Sequence, residues 1–300
     1  MEQKKIYEGY LAKLKKGLKI LPDKNEENAN NTIKALWHTA TANPVSAIRA
    51  EKLELPSLLP SQMLILEALI QNRISGIPLA HLTERQNFME LDYIVNKGLY
   101  IPRKETELLA KAAINTISND FAAEENVCVI DVCTGIGTVA LAIAHYAKNT
   151  YVFGSDIYKP AIDAAKINAK HFSLDHRATF FDGDMFDPFK TLSLEGKVNI
   201  IVSAPPYIST KKVKNMAPEI ANHEPQEAFD AGPFGLSIFI FLISIAPEYL
   251  AINGYLIMEC GLGQGEFLTN RIEANNSFGK VDKIYDENGN IRVLKAKKVR

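Results

Sequence analysis

From Val127 onward the chain alternates short apolar runs with helical stretches, and this alternation constrains the fold more than any other feature. The strand candidates are Val127–Val132, Tyr151–Ser155, Ala178–Phe181, Val198–Ser203 and Gly254–Glu259. Strands separated by helices pair in parallel through crossovers, and a parallel sheet must be covered on both faces. The end of the chain breaks the pattern. Val281–Tyr285 and Ile291–Ala296 flank Glu287-Asn288-Gly289-Asn290, whose Asn-Gly pair favours a tight β-hairpin. The expected fold is α/β: five strands in a mostly parallel sheet, then a terminal antiparallel hairpin.

Residues 1–84 read as helices. Ile6, Tyr10, Leu14 and Leu18 recur near helical spacing with lysines opposite. The polar stretch Pro22-Asp23-Lys24-Asn25-Glu26-Glu27 precedes a helix from Thr32 to Ala42, which Asn43-Pro44 breaks. Pro60-Ser61-Gln62 opens another, whose stripe of Met63, Leu66, Leu69, Ile70 and Ile74 runs until Gly76. Such stripes are the core of a helical bundle. Phe88–Val95 suggests a short hairpin with Glu90 to Asp92 near its turn, and Tyr100–Glu107 leads into a helix reaching about Ile117. The expected domains are 1–84, 85–103 as a β-hairpin linker, and 104–300.

Lys and Arg total 34 against 35 acidic residues, so no net charge draws the chain to nucleic acid or an anionic membrane. The start, Met1-Glu2-Gln3-Lys4-Lys5, leads into a charged stretch, not an apolar signal core. The longest apolar run, Ser237–Ala246, is too short to span a bilayer. Cys128, Cys133 and Cys260 suit reduced thiols in a cytoplasmic protein, and no Cys/His spacing suggests zinc.

The strand ends carry the chemistry. Asp131-Val132-Cys133-Thr134-Gly135-Ile136-Gly137 leads into a helix at about Thr138. Gly135 and Gly137 allow a tight turn and close approach to a ligand, and the helix N-terminus offers unpaired amides. A structural turn or a nucleotide site would look alike, so this loop alone is weak evidence. Cys133 stands where such loops often carry Gly, and it is small enough to be tolerated. The next strand ends in Gly154-Ser155-Asp156-Ile157, an acid at the tip where ribose hydroxyls bind. The one after ends in Asp182-Gly183-Asp184-Met185-Phe186, where Asp184 can accept from an adenine amino group and Met185 can pack on its ring. A third glycine of the dinucleotide pattern is missing, so an adenosyl ligand without pyrophosphate fits better. Helix capping is the alternative for Asp156 or Asp184 taken singly. The fourth strand ends in Ser203-Ala204-Pro205-Pro206-Tyr207, a rigid turn followed by an aromatic ring.

Together these motifs resemble the HemK family of protein-glutamine N5-methyltransferases, which modify a Gly-Gly-Gln loop in translation release factors, and their ribosomal-protein-modifying relatives. The resemblance covers roughly residues 60–296. It rests on Arg73-Ile74-Ser75-Gly76-Ile77-Pro78-Leu79, Ile101-Pro102-Arg103-Lys104-Glu105-Thr106-Glu107, the Gly135 loop and Pro205-Pro206-Tyr207. His223-Glu224-Pro225, Gly232-Pro233-Phe234-Gly235-Leu236 and Glu259-Cys260-Gly261-Leu262-Gly263-Gln264 add to it. It implies a class I, Rossmann-like sheet of seven strands, S-adenosylmethionine as cofactor, S-adenosylhomocysteine as product, and no metal. Asp131, Thr134, Gly135, Gly137, Asp156, Ile157, Asp184, Met185 and Ser203 would then surround the cofactor. Ala204, Pro205, Pro206 and Tyr207 would face the acceptor. Arg103, Glu105, His223 and Glu224 would lie on the substrate side: Glu105 lines the pocket or caps a helix, and His223 and Glu224 order a lid. The helical 1–84 segment becomes a substrate-recognition domain and 104–300 the catalytic one.

In this family the loop reads Asn-Pro-Pro-Tyr. The Asn side-chain oxygen and the first Pro carbonyl hold the two N–H groups of an amide and draw its lone pair out of conjugation, while the Tyr ring packs on the planar group. Ala204 stands at the Asn position and accepts nothing. Losing one oriented hydrogen bond in a water-poor site costs on the order of 1–3 kcal/mol. That is roughly a ten- to hundredfold rate loss. Three readings follow. The chain is a protein-glutamine methyltransferase whose Asn has been replaced, which is the expected function. Or it methylates a small amine, guanidino amino acid or peptide, with Glu105 or Glu224 taking the proton. Or it is a cofactor-binding interaction module without turnover. Nucleic-acid adenine methylation is disfavoured by the neutral charge and the lid motifs.

Overall fold

The structure, a computed structural model, describes residues 2–300 and divides into two compact units. One comprises the chain up to Arg103 together with Met216–Pro225, and the other Lys104–Asn215 with Gln226–Arg300.

The first unit is built on the helices Glu2–Gly17, Ala29–Ala40, Ala47–Glu51, Pro60–Ile74 and Leu79–Thr83. Their apolar stripes converge: Leu14, Ile33, Leu36, Trp37, Leu66 and Ile70 are completely buried. Each such side chain contributes about 1.5–3 kcal/mol. Local signals set the ends. The Asn28 side chain accepts from the Asn31 amide at 3.0 Å, and Gln62 Oε1 accepts from the Leu59 amide at 2.8 Å just ahead of Pro60. Gly76, at φ +101°, ends the Pro60 helix. A two-stranded hairpin follows, β1 (Arg85–Phe88) and β2 (Leu91–Ile94). Its turn is Met89-Glu90, with φ of 49° and 62°. Phe88 thus ends the first strand instead of opening it; the preceding Arg85-Gln86-Asn87 is polar and carries no apolar alternation to read.

Met216–Pro225 is held to this unit by buried ion pairs. Arg73, 2% exposed, donates to Glu27 at 2.9 Å and to Glu219 at 3.1 Å. Glu224 accepts from Arg103 Nη2 at 2.6 Å and from the Ile101 amide at 2.9 Å. Buried charges persist only when paired and hydrogen-bonded, so these contacts fix the segment in one place.

The second unit contains β3 (Val127–Val132), β4 (Thr150–Asp156), β5 (Ala178–Asp182), β6 (Val198–Ser203), β7 (Leu250–Glu259), β8 (Phe278–Tyr285) and β9 (Ile291–Lys298). They form one seven-stranded sheet in the order β5-β4-β3-β6-β7-β9-β8. The first five strands along this order are parallel; β9 pairs antiparallel with β7, and β8 antiparallel with β9. Crossover helices, among them Thr138–Tyr146, Lys159–His171 and Ser237–Tyr249, join the parallel strands. β7 starts at Leu250, earlier than its apolar run suggests, because it carries an irregularity: Asn253 has φ 69° and the register with β6 shifts. A Cβ on the adjoining Gly254 would lie 2.9 Å from three carbonyl oxygens, so only glycine fits.

The chain runs from β3 outward through β4 to β5, then returns to place β6 on the other side of β3. Where strand order reverses, the loops leaving the carboxyl ends diverge and open a crevice, the usual ligand site of such sheets.

Candidate active site

Two loops leave that switch point side by side. Val132 of β3 pairs with Ser203 of β6, and the Ser203 hydroxyl donates to the Val132 carbonyl at 2.7 Å. The glycine loop and the Pro-Pro-Tyr loop therefore start from one register pair. The tips of β4 and β5 are tied in as well. The Thr134 amide donates to the Ser155 carbonyl at 2.9 Å, the Ser155 hydroxyl to the Met185 carbonyl at 2.6 Å, and the Gly183 amide to the Asp156 carbonyl at 3.0 Å.

Asp131 is completely buried beneath the glycine loop. Its Oδ2 accepts from the Thr134 hydroxyl at 2.7 Å and from the Ala140 amide at 3.1 Å, while Oδ1 has no hydrogen-bond partner. Burial pushes its pKa up to about 7, against the opposing pull of the two donors. Gly135 and Gly137 both have positive φ, 57° and 80°, and the space beside the Gly135 Cα is open. Asp156 braces the loop from β4: its Oδ2 accepts from the Gly135 amide at 2.8 Å and its Oδ1 from the Tyr158 amide at 2.9 Å. Burial raises its pKa too, and those two amides draw it back. Ile157 and the Asp184 carboxylate are exposed. Cys133 and Met185 both adopt left-handed backbone, φ 61° and 48°, and their sulfur atoms lie 3.9 Å apart.

The Pro-Pro-Tyr loop is braced at Tyr207. The Gln264 side-chain amide donates to the Tyr207 carbonyl at 3.0 Å, and the Tyr207 hydroxyl donates to Glu259 Oε1 at 3.2 Å. Glu259 is 2% exposed, with Arg292 Nη2 at 3.4 Å. Glu105 Oε1 lies 4.0 Å from the same guanidinium. Burial raises the Glu259 pKa while the Thr106 hydroxyl and Arg292 oppose it; burial and the Glu259 charge raise that of Tyr207.

The expected site residues fall into two groups. Ala204, Pro205, Pro206, Tyr207 and Glu105 belong to the same unit as the glycine loop and the acidic tips. Arg103, His223 and Glu224 belong to the first unit. There Glu224 spends both oxygens on Arg103 and Ile101 with a fully buried side chain, so it is no free base. Gln264, Glu259 and Arg292 were not singled out individually by the sequence. Gln264 and Glu259 bracket a motif that resembled the family, but Arg292 reaches them only through the β7–β9 pairing.

A seven-stranded sheet of this order, with a glycine loop, acidic strand tips and a Pro-Pro-Tyr loop at its switch point, defines a class I S-adenosylmethionine-dependent methyltransferase. Residues 106–232 match the family model of the methyltransferase small domain. A solved methyltransferase from Pyrococcus furiosus shares the fold, with a TM-score of 0.50 at 13% identity over 78% of this chain and 98% of that one. The release factor glutamine methyltransferase of Bacillus anthracis is 31% identical over 75% of this chain and 78% of its own length. That of Clostridium acetobutylicum is 33% identical over 72% and 76%. The chain belongs to the release factor glutamine methyltransferase family. Among the described residues, no helix is long and apolar enough to cross a membrane.

Proposed function

We propose that this enzyme transfers a methyl group to the side-chain amide nitrogen of a glutamine in a protein acceptor of the release-factor type, in the cytoplasm. The observation that carries the reading is the Val132–Ser203 register pair, which starts the glycine loop and the Pro-Pro-Tyr loop next to each other. Donor and acceptor bound on these two loops meet without any domain rearrangement, as an in-line displacement requires. The names of the relatives supply the acceptor class.

The residues present fit an adenosyl sulfonium. Gly135 leaves open space beside a loop of positive-φ glycines, and the exposed Asp184 carboxylate is held by no side-chain hydrogen bond within the described residues. Asp156 holds the ribose hydroxyls with its remaining lone pairs, Asp184 accepts from the adenine amino group, and Met185 packs on the ring. Asp131 and Thr134 set the loop from below. Bound S-adenosylmethionine supplies an electrophilic methyl group and leaves as S-adenosylhomocysteine. The acceptor amide packs on Tyr207 and gives one N–H to the Pro205 carbonyl. Its other N–H finds no side-chain acceptor at Ala204; as the N–C bond forms and the S–C bond breaks, one amide proton is released to water.

The test is methyl transfer from labelled cofactor to a release factor and to a Gly-Gly-Gln peptide, with mass spectrometry locating the label. Slow transfer to the glutamine is expected, rising about ten- to hundredfold in Ala204→Asn. Label confined to small amines, or an Ala204→Asn chain no faster than its parent, would refute the reading.

A further inference from the structure

We infer that Gln264 is a positioning residue for methyl transfer: its side-chain amide fixes Tyr207, and through it the acceptor, by locking three loops at one point. This rests on reading Pro205-Pro206-Tyr207 as the acceptor loop. Gln264 Nε2 donates to the Tyr207 carbonyl at 3.0 Å and to the Gly235 carbonyl at 3.1 Å, and its Oε1 accepts from the Gly261 amide at 2.9 Å. These partners stand on the loop after β6, the loop before the Ser237–Tyr249 helix, and the loop after β7. The neutral amide spends both its hydrogens and an oxygen lone pair here. Glutamate offers no such donors when ionised, and Asn is a methylene too short.

The backbone has made room for this arrangement. A Cβ on Gly235, at φ +70°, would lie 2.5 Å from the Tyr207 carbonyl oxygen. A Cβ on Gly261 would lie 2.9 Å from both Gln264 Oε1 and Tyr207 Cδ2. Any side chain at either position would push the loops apart. With the hydroxyl held by Glu259 at 3.2 Å, Tyr207 is fixed at its carbonyl, its ring edge and its far end. Such bracing matters more in this chain than in one carrying Asn at 204. With no side-chain acceptor there, the orientation of the acceptor falls to the Pro205 carbonyl and the Tyr207 ring, and small displacements at a reacting centre are costly in rate.

Gln264→Met and Gln264→Glu test this. Met keeps the length and removes the polar atoms. Glu keeps the acceptor for Gly261 but sets a carboxylate oxygen against two carbonyls. At neutral pH both variants should lose about ten- to hundredfold in kcat, with the acceptor KM and the cofactor Kd little changed. Lowering the pH protonates the glutamate and restores one donor. The Gln264→Glu rate relative to the parent should therefore climb as pH falls, while the Gln264→Met ratio stays flat. The Tyr207 resonance of 3-fluorotyrosine-labelled protein, assigned with Tyr207→Phe, should move or broaden in Gln264→Met without any acceptor present. An unchanged kcat in folded Gln264→Met, or an unmoved Tyr207 resonance, overturns the inference. A parent that methylates no glutamine overturns the acceptor reading instead, and leaves the resonance to decide the bracing. Should Gln264→Glu fail to fold, Gln264→Met carries both measurements.

Discussion

Glu224→Gln is the sharpest available test of how Met216–Pro225 is held. The Glu224 side chain is completely buried and spends one oxygen on Arg103 Nη2 at 2.6 Å and the other on the Ile101 amide at 2.9 Å. Glutamine keeps the shape and still accepts from Ile101, but it turns an NH2 group toward the guanidinium, donor against donor. Arg103 then retains the Ile101 carbonyl at 2.8 Å, the face of Tyr100 at 5.0 Å and Asp23 at 3.9 Å. Asp23 is 38% exposed, so water screens it and it replaces little. Breaking one side of a buried pair costs about 3–5 kcal/mol, a large share of the roughly 5–15 kcal/mol that holds a domain together. Arg103→Met should cost as much. The double variant Arg103→Met, Glu224→Gln removes both charges and keeps the acceptor of the Ile101 amide, leaving the glutamine NH2 and the Ile101 carbonyl without their partners, at about 1–3 kcal/mol each. The two single losses should therefore fail to add, by about 2 kcal/mol or more. Urea unfolding gives the totals, and hydrogen exchange in peptides covering 95–103 and 216–225 shows whether the loss is local. A Glu224→Gln loss below about 1 kcal/mol, or additive single variants, would refute the account of this pair as the anchor of the segment.

Three further outcomes are expected. Glu90→Gly should raise stability by about 0.5–1 kcal/mol, because Met89-Glu90 turns β1 into β2 with positive φ at both residues, where glycine is unstrained; a lower urea midpoint would contradict this, since the Lys52–Glu90 pair it removes is exposed. Asp131 has its pKa raised from 3.8 to about 7, so the native state binds the proton more tightly and stability should fall as pH rises from about 4 to about 7, then level off. Asp131→Asn should flatten that slope in melting curves taken across the range, and an unchanged slope would exclude Asp131 as its source. Burial pushes the Cys128 thiol up to about 11 and Cys260 up to about 12, and raises Cys133 as well. Thiol reagents at pH 8 should label the native chain slowly and all three cysteines fast in denaturant, and rapid native labelling would speak against that burial.

β3 and β6 were legible to the residue, because a strand buried on both faces is a near-continuous apolar run, here interrupted only by Asp131 and Asn199 within it. The same property made Asp131, Asp156 and Ser203 readable, since polar residues stand out at the tips of apolar runs. β1 was not legible: Arg85-Gln86-Asn87 pairs with β2 through backbone groups that leave no apolar trace. The early start of β7 was hidden by Asn253-Gly254, which reads as a turn and serves as an irregularity within the strand. What a linear pattern could not supply was the bracing of Tyr207. Gln264 is 57 residues away from it in sequence, Glu259 is 52, and Arg292 meets Glu259 only because β9 lies beside β7. Nor could it show that Glu224 is spent on Arg103 and Ile101, since a conspicuous acid in a motif reads the same whether it is free or paired.

The distribution of backbone strain bears on function independently of any motif. Most non-glycine residues with positive φ, such as Met89, Glu90 and Ser173, sit at turns, where strain costs about 1–2 kcal/mol and a tight reversal returns it. Cys133 and Met185 are turn residues as well, but they stand in the loops after β3 and β5, at the carboxyl edge of the sheet, with their sulfur atoms 3.9 Å apart. Their strain is sustained by the Thr134–Ser155 and Ser155–Met185 hydrogen bonds, and close beside them a buried Asp131 oxygen goes without a partner. A sheet selected for stability alone would place glycine at both positions and satisfy the carboxylate. Strain held in place by surrounding bonds is what a preformed binding surface requires. A ligand bound there would meet a loop already in shape, with little of its binding free energy spent on ordering it.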